Sequence, residues 1–259
     1  MKKLLLGVWV LATTIPFATG CSGSSQATAG AHGSDRSNRS NTASSPSIAV
    51  SSPPASLTRL GRAPTNVQLS AIVLQTSDLP ADADASPADE SDPTTSTQQA
   101  KLVQCVGGQD TSADKVAEAT SPDFGIDNGG VSSSAASFKS QSDLATDIAL
   151  VQSPKLPACY EALLKDEAAS QLPAGATIDA ATFSISPGRN GGPSNIIGIG
   201  TGSVTVTIAG HPVSLYVAVA FITGRLTEAE VSYENPQTPV SISDILPLAT
   251  AVAQRAAKL

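Results

Sequence analysis

The sequence feature that most constrains the fold is a change of hydrophobic period at about Ala176. From there on, apolar residues recur at every second position, as in residues 204–208 and 227–233, and the run 213–222 between them is apolar on both faces. A period of two is typical of β-strands, and a continuous apolar run of this length is typical of a strand covered on both sides. Short turns separate the segments, so we predict an antiparallel meander of about four strands.

Three segments outside the meander have the spacing of amphipathic helices. The first begins at a Ser142 cap and ends at Pro154, the second runs from about Pro157 to Pro173, and the third starts at Ser243. Their predicted buried positions are Leu144, Ala145, Ile148 and Ala149, then Tyr160, Leu163, Leu164 and Ala168, and finally Ile245, Leu248, Ala249, Val252, Ala256 and Leu259.

The fold class that follows is α+β: a mainly antiparallel, twisted β-sheet flanked by helices, with a C-terminal amphipathic helix. We expect one such domain over residues 65–259, with a helical first half. Residues 69–74 and 112–119 are predicted as short helices and 131–140 as a strand. Pro247 is compatible with the last helix only within its first turn, because proline donates no backbone hydrogen bond.

The start of the chain has the pattern of a lipoprotein signal peptide. Lys2 and Lys3 precede a short apolar run, which ends in small residues before Cys21. The run is shorter than the roughly 20 apolar residues of a membrane-spanning helix. The segment resembles the lipobox of bacterial lipoproteins, which implies cleavage after residue 20 and lipidation of Cys21. The alternative is ordinary secretion with cleavage near Ala18.

Residues 21–64 read as a disordered tether. They are rich in Ser, Ala, Gly, Thr, Asn and Pro and show no hydrophobic period. Such a segment buries too little apolar surface to offset the entropy lost on ordering. We therefore predict an extracytoplasmic domain held at the cell membrane through lipid on Cys21. Glycosylation of the tether is left open.

The two remaining cysteines, Cys105 and Cys159, form an even pair in an exported chain. A pair has one connectivity, so we predict a disulfide bond between them. Two buried free thiols and a redox pair are the alternatives, although the chain has no Cys-x-x-Cys spacing.

Charge excludes one class of partner. The chain carries 15 basic and 22 acidic residues, and loss of Lys2 and Lys3 with the signal peptide makes the balance more negative. An acidic protein does not attract the phosphate backbone, so we expect no nucleic-acid partner. Membrane contact is expected through the lipid anchor alone.

The strongest catalytic motif is a Ser-x-x-Lys sequence at Ser112 and Lys115, as in penicillin-interacting enzymes. The Lys-Thr-Gly and Ser-Asp-Asn motifs that accompany it in those enzymes are missing from the sequence. A helix cap with a solvated lysine is the simpler interpretation. An envelope hydrolase that uses these two residues remains the alternative function.

Other polar groups have structural interpretations. The acidic loop 82–92, with Asp82, Asp84, Asp89, Glu90 and Asp92, lacks the glycine and glutamate of an EF-hand, which leaves a weak Ca²⁺ site as an option. We interpret Glu228 and Glu230 as the solvent side of an amphipathic strand.

The single histidine of the domain and the glycine-rich segments give no catalytic or phosphate-binding motif. His211 lies in a predicted turn, and one histidine cannot build the usual zinc site. Residues 188–192 and the glycines at 198, 200 and 202 lie between predicted strands, which favours hairpin loops and bulges over a phosphate-binding loop. We predict no cofactor, no metal and no catalytic residues.

Several short motifs do resemble a known family. Residues 69–80 (Leu-Ser, an apolar run, then Asp-Leu-Pro), Cys105-Val106-Gly107 and the stretch from Val131 through Phe138 to Cys159 are similar to the PknH-like extracellular sensor domain of actinobacterial serine/threonine kinases. That domain also occurs in free-standing lipoproteins. The kinase domains have two disulfides, whereas this chain has cysteines for one. The PsbP-like lipoprotein group is a second candidate.

The resemblance implies an antiparallel sheet flanked by helices, with a cleft. The leading functional hypothesis is a ligand-binding or sensing module of the cell envelope, whose partner is a small molecule, an envelope component or another protein. A carrier of an apolar, lipid-like molecule is a further alternative, and it requires a cavity of roughly 300 Å³ or more.

Overall fold

The computed structural model describes residues 62–88, 93–188 and 192–259. The signal peptide, Cys21 and nearly all of the predicted tether lie outside these ranges. The helices are α1 (Asn66–Ser70), α2 (Pro93–Val106), α3 (Gln141–Val151), α4 (Leu156–Gln171) and α5 (Ile242–Ala256). The strands are β1 (Asp84–Ser86), β2 (Lys115–Thr120), β3 (Asp123–Ile126), β4 (Gly129–Phe138), β5 (Thr177–Pro187), β6 (Ile196–Ile208), β7 (His211–Thr223) and β8 (Thr227–Asn235).

The predicted α+β class is confirmed, with helices flanking one antiparallel sheet and a helix at the C-terminus. The described residues form eight strands instead of about four. The order is β1-β3-β4-β8-β7-β6-β5, and β2 pairs with β4 beside this path. The predicted meander is β5 to β8, and the additional strands come from the first half of the chain, which the sequence had indicated to be helical.

One short helix was predicted wrongly. Residues Ser112–Asp114 form a single 3₁₀ turn, and Lys115 begins strand β2, which pairs antiparallel with β4. The segment is too short for its intrinsic helical preference to decide the matter, because the strand β4 beside it offers a ladder of backbone hydrogen bonds. The strand predicted at 131–140 is confirmed as β4.

Helix boundaries differ from the predictions in two places. Ser140, and not Ser142, caps α3, and its side chain accepts a hydrogen bond from the backbone N–H of Asp143. Helix α5 begins at Ile242, so Pro247 lies beyond the first turn. Pro247 is exposed, and the buried face of α5 is otherwise the one that the sequence predicts.

One face of the sheet, which we call the dry face, is covered by α1, the segment that follows it, and α5. Its core is aliphatic and includes Val231 from β8 and Ile245 from α5, both fully buried. The segment before α1 is anchored here as well, since the Ser137 hydroxyl donates to the carbonyl of Pro64 over 2.8 Å. Pro64 is therefore held against the dry face of the sheet.

The opposite face is covered by α2, α3 and α4. An aromatic pair lies at its centre: the rings of Tyr160 on α4 and Phe183 on β5 stack with centroids 4.2 Å apart. Gly200 makes room for Phe183, because a Cβ there would lie 2.2 Å from the ring. The glycines at 198, 200 and 202 thus belong to strand β6 and are not part of a mobile loop.

Candidate functional site

The predicted cysteine pair joins two helices of the second face. Cys105 on α2 and Cys159 on α4 form a disulfide bond, with sulfur atoms 2.08 Å apart and Cα atoms 5.7 Å apart. The bond fixes the C-terminal turn of α2 against the first turn of α4. Cys21, the other predicted site residue, is outside the described residues.

The structure does not build the Ser-x-x-Lys arrangement. Because Lys115 starts a strand, it does not follow Ser112 by one turn of an α-helix. The backbone N–H of Ser112 donates to the Asp110 carboxylate, 2.9 Å away, whereas the Lys115 ammonium lies 4.0 Å from Glu118. Asp110 thus binds Ser112 and also interacts with the charge of Lys115.

The described part of the acidic loop and the histidine are at the surface. Asp82 and Asp84 are exposed, the latter at the start of β1, and the other three acidic residues, Asp89, Glu90 and Asp92, lie outside the described residues. Within the described ranges, no group of three or more His, Cys, Asp or Glu side chains is placed to hold a metal ion. His211 is exposed at the first position of β7.

The interpretation of Glu228 and Glu230 as solvent-facing is wrong. The two residues are 4% and 5% exposed and lie on the face covered by α2, α3 and α4. The side chains of β8 do alternate between the two faces as predicted, with Val231 on the dry face. Its polar side, however, is also covered, because residues of α2 and α3 pack over Glu228 and Glu230. Glu228, Glu230, Ser232 and Glu234 form a buried polar stripe, and we call this side of the sheet the acidic face.

Strand register brings a carboxylate from a second strand to the acidic face. Glu228 of β8 and Glu118 of β2 both pair with Ala136 of β4, from opposite sides. Residues paired across neighbouring strands point to the same face, so the two carboxylates flank the alanine methyl group. In the next row, Glu230 lies between Ser134 and Phe221.

A further carboxylate comes from a helix above the sheet. Asp147 lies on the buried side of α3, where it is 3% exposed and accepts a short hydrogen bond from the hydroxyl of Thr111. The predicted face of this helix is wrong in part, because Ala145 and Ala149 are exposed. Leu144, Asp147 and Val151 are the buried positions, at helical spacing.

Lys115 is the cation that acts on these carboxylates. Its side chain is 3% exposed, its ammonium lies 4.0 Å from Glu118 Oε1, and it sits 5.8 Å from the centroid of the Phe138 ring. Burial lowers the pKa of Lys115 to about 8, although the charges of Asp147, Glu228 and Glu118 oppose this change. A buried ammonium retains its proton less readily than a solvated one.

Burial has the opposite effect on the acids. It raises the pKa of Glu230 to about 8, against the hydrogen bond from Ser232 and the charge of Lys115. The pKa of Glu228 is raised well above its ordinary value, first by burial and then by the charge and the hydrogen bond of Asp147. Burial also raises the pKa of Glu118. Carboxyl groups in this environment take up protons or cations.

The acidic face opens into a small cleft beneath α2 and α3, which we call the inner cleft. Its floor contains Asp147, Glu228 and Glu230. Its walls and mouth are formed by Gln99, Leu102, Val103, Val106, Leu150, Val151, Leu156 and Phe221. The cavity volume is about 40 Å³. This space accommodates a small polar group or a few water molecules and is far below the volume that the lipid-carrier hypothesis requires.

A second concavity, the outer groove, lies on the other side of α2. It has a volume of about 340 Å³ and is lined by residues of α2 and α4, among them the disulfide and Leu163. An ion pair crosses it, with Lys101 Nζ 2.9 Å from the Asp166 carboxylate. Both charged side chains are more than half exposed, so the groove is a surface feature and not a lipid cavity.

The arrangement favours binding over catalysis. Clustered carboxylates can transfer protons, but a cavity of this size has no room for a sugar ring between them. They can accept hydrogen bonds from a donor or pair with a cation. Sequence reasoning missed Asp147, Glu118 and the burial of Lys115. Only Asp147 carried a usable signal, three residues after Leu144 and four before Val151.

The chain was compared with known proteins. None of the helices in the described residues is long and apolar enough to span a membrane. No family model matches the chain, and no curated protein matches it. Among solved structures, it is similar to the crystal structure of the extracellular domain of PknH from Mycobacterium tuberculosis. The identity is 13% over 76% of this chain and 99% of that chain, with a TM-score of 0.38.

Proposed function

We propose that this protein is a non-enzymatic ligand-binding or sensing module of the cell envelope, and that its ligand enters the inner cleft. One observation carries the proposal: three carboxyl groups, those of Asp147, Glu228 and Glu230, are buried at the floor of a cleft. Burying such groups costs free energy, and the hydrophobic core of the fold does not need them. Groups that perturb one another inside a cleft are typical of functional sites.

The mouth of the cleft supports the same proposal. Gln99, Leu102 and Leu150 at its edge are half-buried, whereas Glu228 and Glu230 at its floor are buried. A ligand would thus meet apolar side chains and one amide before it reaches the carboxylates. This combination of apolar walls and a few polar groups is usual for small-molecule sites.

Export and anchoring are part of the proposal and rest on the sequence. The lipobox-like segment before Cys21 supports cleavage, lipidation and an extracytoplasmic location at the cell membrane. Two acyl chains are sufficient for durable membrane attachment. We also propose, on the short motifs of residues 69–80 and 105–107, a relationship to the PknH-like sensor domains, with the PsbP-like lipoproteins as the alternative.

The binding proposal is tested with the full-length chain in a thermal-shift screen of amines, amino sugars, peptidoglycan fragments and envelope glycolipids. We expect at least one compound to raise the melting temperature of the parent chain and not that of Glu228→Gln. Glu161→Gln is the matched control, because it makes the same change at a half-buried position of α4, where Glu161 pairs with Lys165 and does not line the cleft. A screen without any Glu228-dependent shift, or robust turnover by the purified protein, would refute the proposal.

The anchor is tested by fractionation. The parent chain should sediment with membranes and incorporate labelled palmitate, and Cys21→Ala should do neither. If Cys21→Ala remained in the membrane fraction, the lipid anchor would have to be abandoned.

A further inference from the structure

We propose that the inner cleft binds the ammonium group of a small aliphatic primary amine, with the carboxylates of Glu228 and Glu230 as its anchors. The inference rests on the proposed binding function and names its ligand class. Three properties of the cleft lead to it: a deficit of positive charge, a carboxylate oxygen without a donor, and walls made of hydrocarbon.

The first property is the charge balance on the acidic face. Around the cleft, Glu118, Asp147, Glu228 and Glu230 contribute four carboxyl groups. The Lys115 ammonium lies 4.0 Å from Glu118 and also interacts with the charges of Asp147 and Glu228. Buried charges in proteins are normally paired. The Lys115 ammonium thus acts on several carboxyl groups at once, and a cation from outside would add positive charge at the floor of the cleft.

The second property is the hydrogen bonding of Glu228. This residue is 4% exposed, it lines the cleft, and its Oε2 has no hydrogen-bond partner among the described residues. A buried acceptor without a donor costs free energy that a bound donor would recover. Glu230, two residues further along β8, accepts a hydrogen bond from the Ser232 hydroxyl over 3.0 Å and lines the same cleft.

The third property is the size and lining of the space. A volume of about 40 Å³ fits an ammonium head and excludes a sugar, a nucleotide or a lipid chain. Above the carboxylates the lining is aliphatic, from Val103, Val106 and Val151 up to Leu102 and Leu150 at the mouth. An ammonium group that carries a short alkyl chain fits this lining, with the charge at the carboxylates and the chain along the aliphatic walls. An anion would meet carboxylates, and a divalent ion would meet too few placed ligands.

The test is a calorimetric titration of the full-length chain with n-butylammonium chloride. We expect saturable one-site binding that Glu228→Gln weakens roughly tenfold or more, in line with the loss of a charged hydrogen-bond partner. Glu230→Gln should weaken it as well, and Glu161→Gln should leave it unchanged. Circular dichroism and unfolding curves check that each variant is folded, and the Glu230 variant keeps the test valid if Glu228→Gln fails to fold.

Isosteres separate the charge from the alkyl chain. n-Butanol, which has nearly the same shape without the charge, should bind at least tenfold more weakly, and butyrate should not bind. From methylammonium to butylammonium, affinity should rise roughly fourfold for each methylene that reaches the aliphatic wall. Equal affinity for butanol and butylammonium would overturn the proposal, and so would tighter binding of K⁺ or Ca²⁺.

A second arm distinguishes a free amine from the amino group of a lysine side chain. Nα-acetyl-lysine amide carries the same butylammonium group on a larger body. Binding of either compound in a Glu228-dependent manner supports the proposal, and binding of neither overturns it. If amines fail while another compound of the screen binds in a Glu228-dependent manner, the ligand class is wrong and the binding function stands. If nothing binds in that manner, both proposals fall.

Discussion

Strand β8 lies between the two faces of the sheet, and its side chains on the two faces differ in kind although both sets are buried. Towards α5 it presents Ala229, Val231 and Tyr233, and towards α3 and α4 it presents Glu228, Glu230 and Ser232. The first set packs into an aliphatic core. The second set places carboxyl groups in a cleft, where burial raises the pKa of Glu228 and Glu230.

Burial therefore has opposite effects on stability on the two faces of the sheet. On the dry face, burial of apolar area stabilises the fold. On the acidic face, burial of carboxyl groups costs free energy, and hydrophobic side chains at the same positions would be neutral or stabilising. Near the dry face, by contrast, a buried charge has its partners. Arg255 donates to the Asp78 carboxylate over 2.7 and 2.9 Å and also donates to two carbonyl groups. Four measurements would break or sharpen this contrast.

The largest effect is expected from a cavity on the dry face. Ile245→Ala removes a fully buried side chain of α5 and should lower the free energy of unfolding by roughly 2–5 kcal/mol. Glu230→Gln should change it little or raise it at neutral pH. Urea unfolding measures both, with Val67→Ala as control at a site that is 81% exposed. A loss for Glu230→Gln as large as that for Ile245→Ala would show that the two faces serve stability alike.

The disulfide is expected to contribute almost as much, and it belongs to the acidic side. Its loop has a sequence separation of 54 residues, so replacing both Cys105 and Cys159 with serine should cost roughly 4 kcal/mol in the chain-entropy model. The melting temperature of the double variant measures this. Thiol alkylation without reductant should label neither cysteine in the parent chain, and labelling of both would contradict the pairing.

The third effect concerns the ion pair of α5. Burial alone would raise the pKa of Asp78, but hydrogen bonds from Arg255 and Gln75 lower it below its ordinary value. The pair therefore contributes stability that is present above the unfolded-state pKa and is lost as the pH falls through the folded-state pKa. Arg255→Met should cost roughly 2 kcal/mol at pH 7.

Urea unfolding between pH 2 and pH 6 checks this assignment. The difference between Arg255→Met and the parent chain should shrink towards acidic pH, where Asp78 is protonated in both. Asp78→Asn serves as the matched variant and should also show a smaller loss of stability on acidification than the parent. A difference that stays constant with pH would show that packing, and not charge, accounts for the loss.

The last effect is a dependence of stability on pH that comes from the acidic face, and it is the smallest per pH unit. The pKa of Glu230 rises to about 8 on folding, so its contribution is fully present below the unfolded-state value near 4.5 and is lost as the pH rises towards 8. One such group gives a slope of at most roughly 1.4 kcal/mol per pH unit. Glu230→Gln should flatten the unfolding free energy between pH 5 and pH 8, and Glu161→Gln should not. An unchanged slope in Glu230→Gln would assign the dependence to another group.

The order of the elements was largely readable from the sequence. The meander β5–β8 and helices α3, α4 and α5 follow from hydrophobic period, because each is long enough for its pattern to repeat. Strand β2 cannot be predicted in this way, because its six residues are too few for a hydrophobic pattern that would exclude a helix. Its conformation comes from pairing with β4, a contact that only the folded chain provides.

The site was much less predictable, and for a related reason. The alternation in β8 specifies that Glu228 and Val231 point to opposite sides, but it does not specify whether a helix covers the polar side. That depends on how α2 and α3 pack over the sheet, which sequence spacing does not encode. Asp147 is not recognisable as buried from its residue type, because a single acidic residue on the apolar face of a helix does not distinguish a buried position from an exposed one.

The strand order has one more consequence, which concerns folding during synthesis. The centre of the sheet is filled by β8, the last strand of the chain, which joins β4 to β7. Until residue 235 has left the ribosome, the strands on either side of β8 form two incomplete sheets with exposed edges. Release of a chain that stops before β8 would thus yield material prone to edge-to-edge association. The stop would remove the middle of the sheet and not its margin.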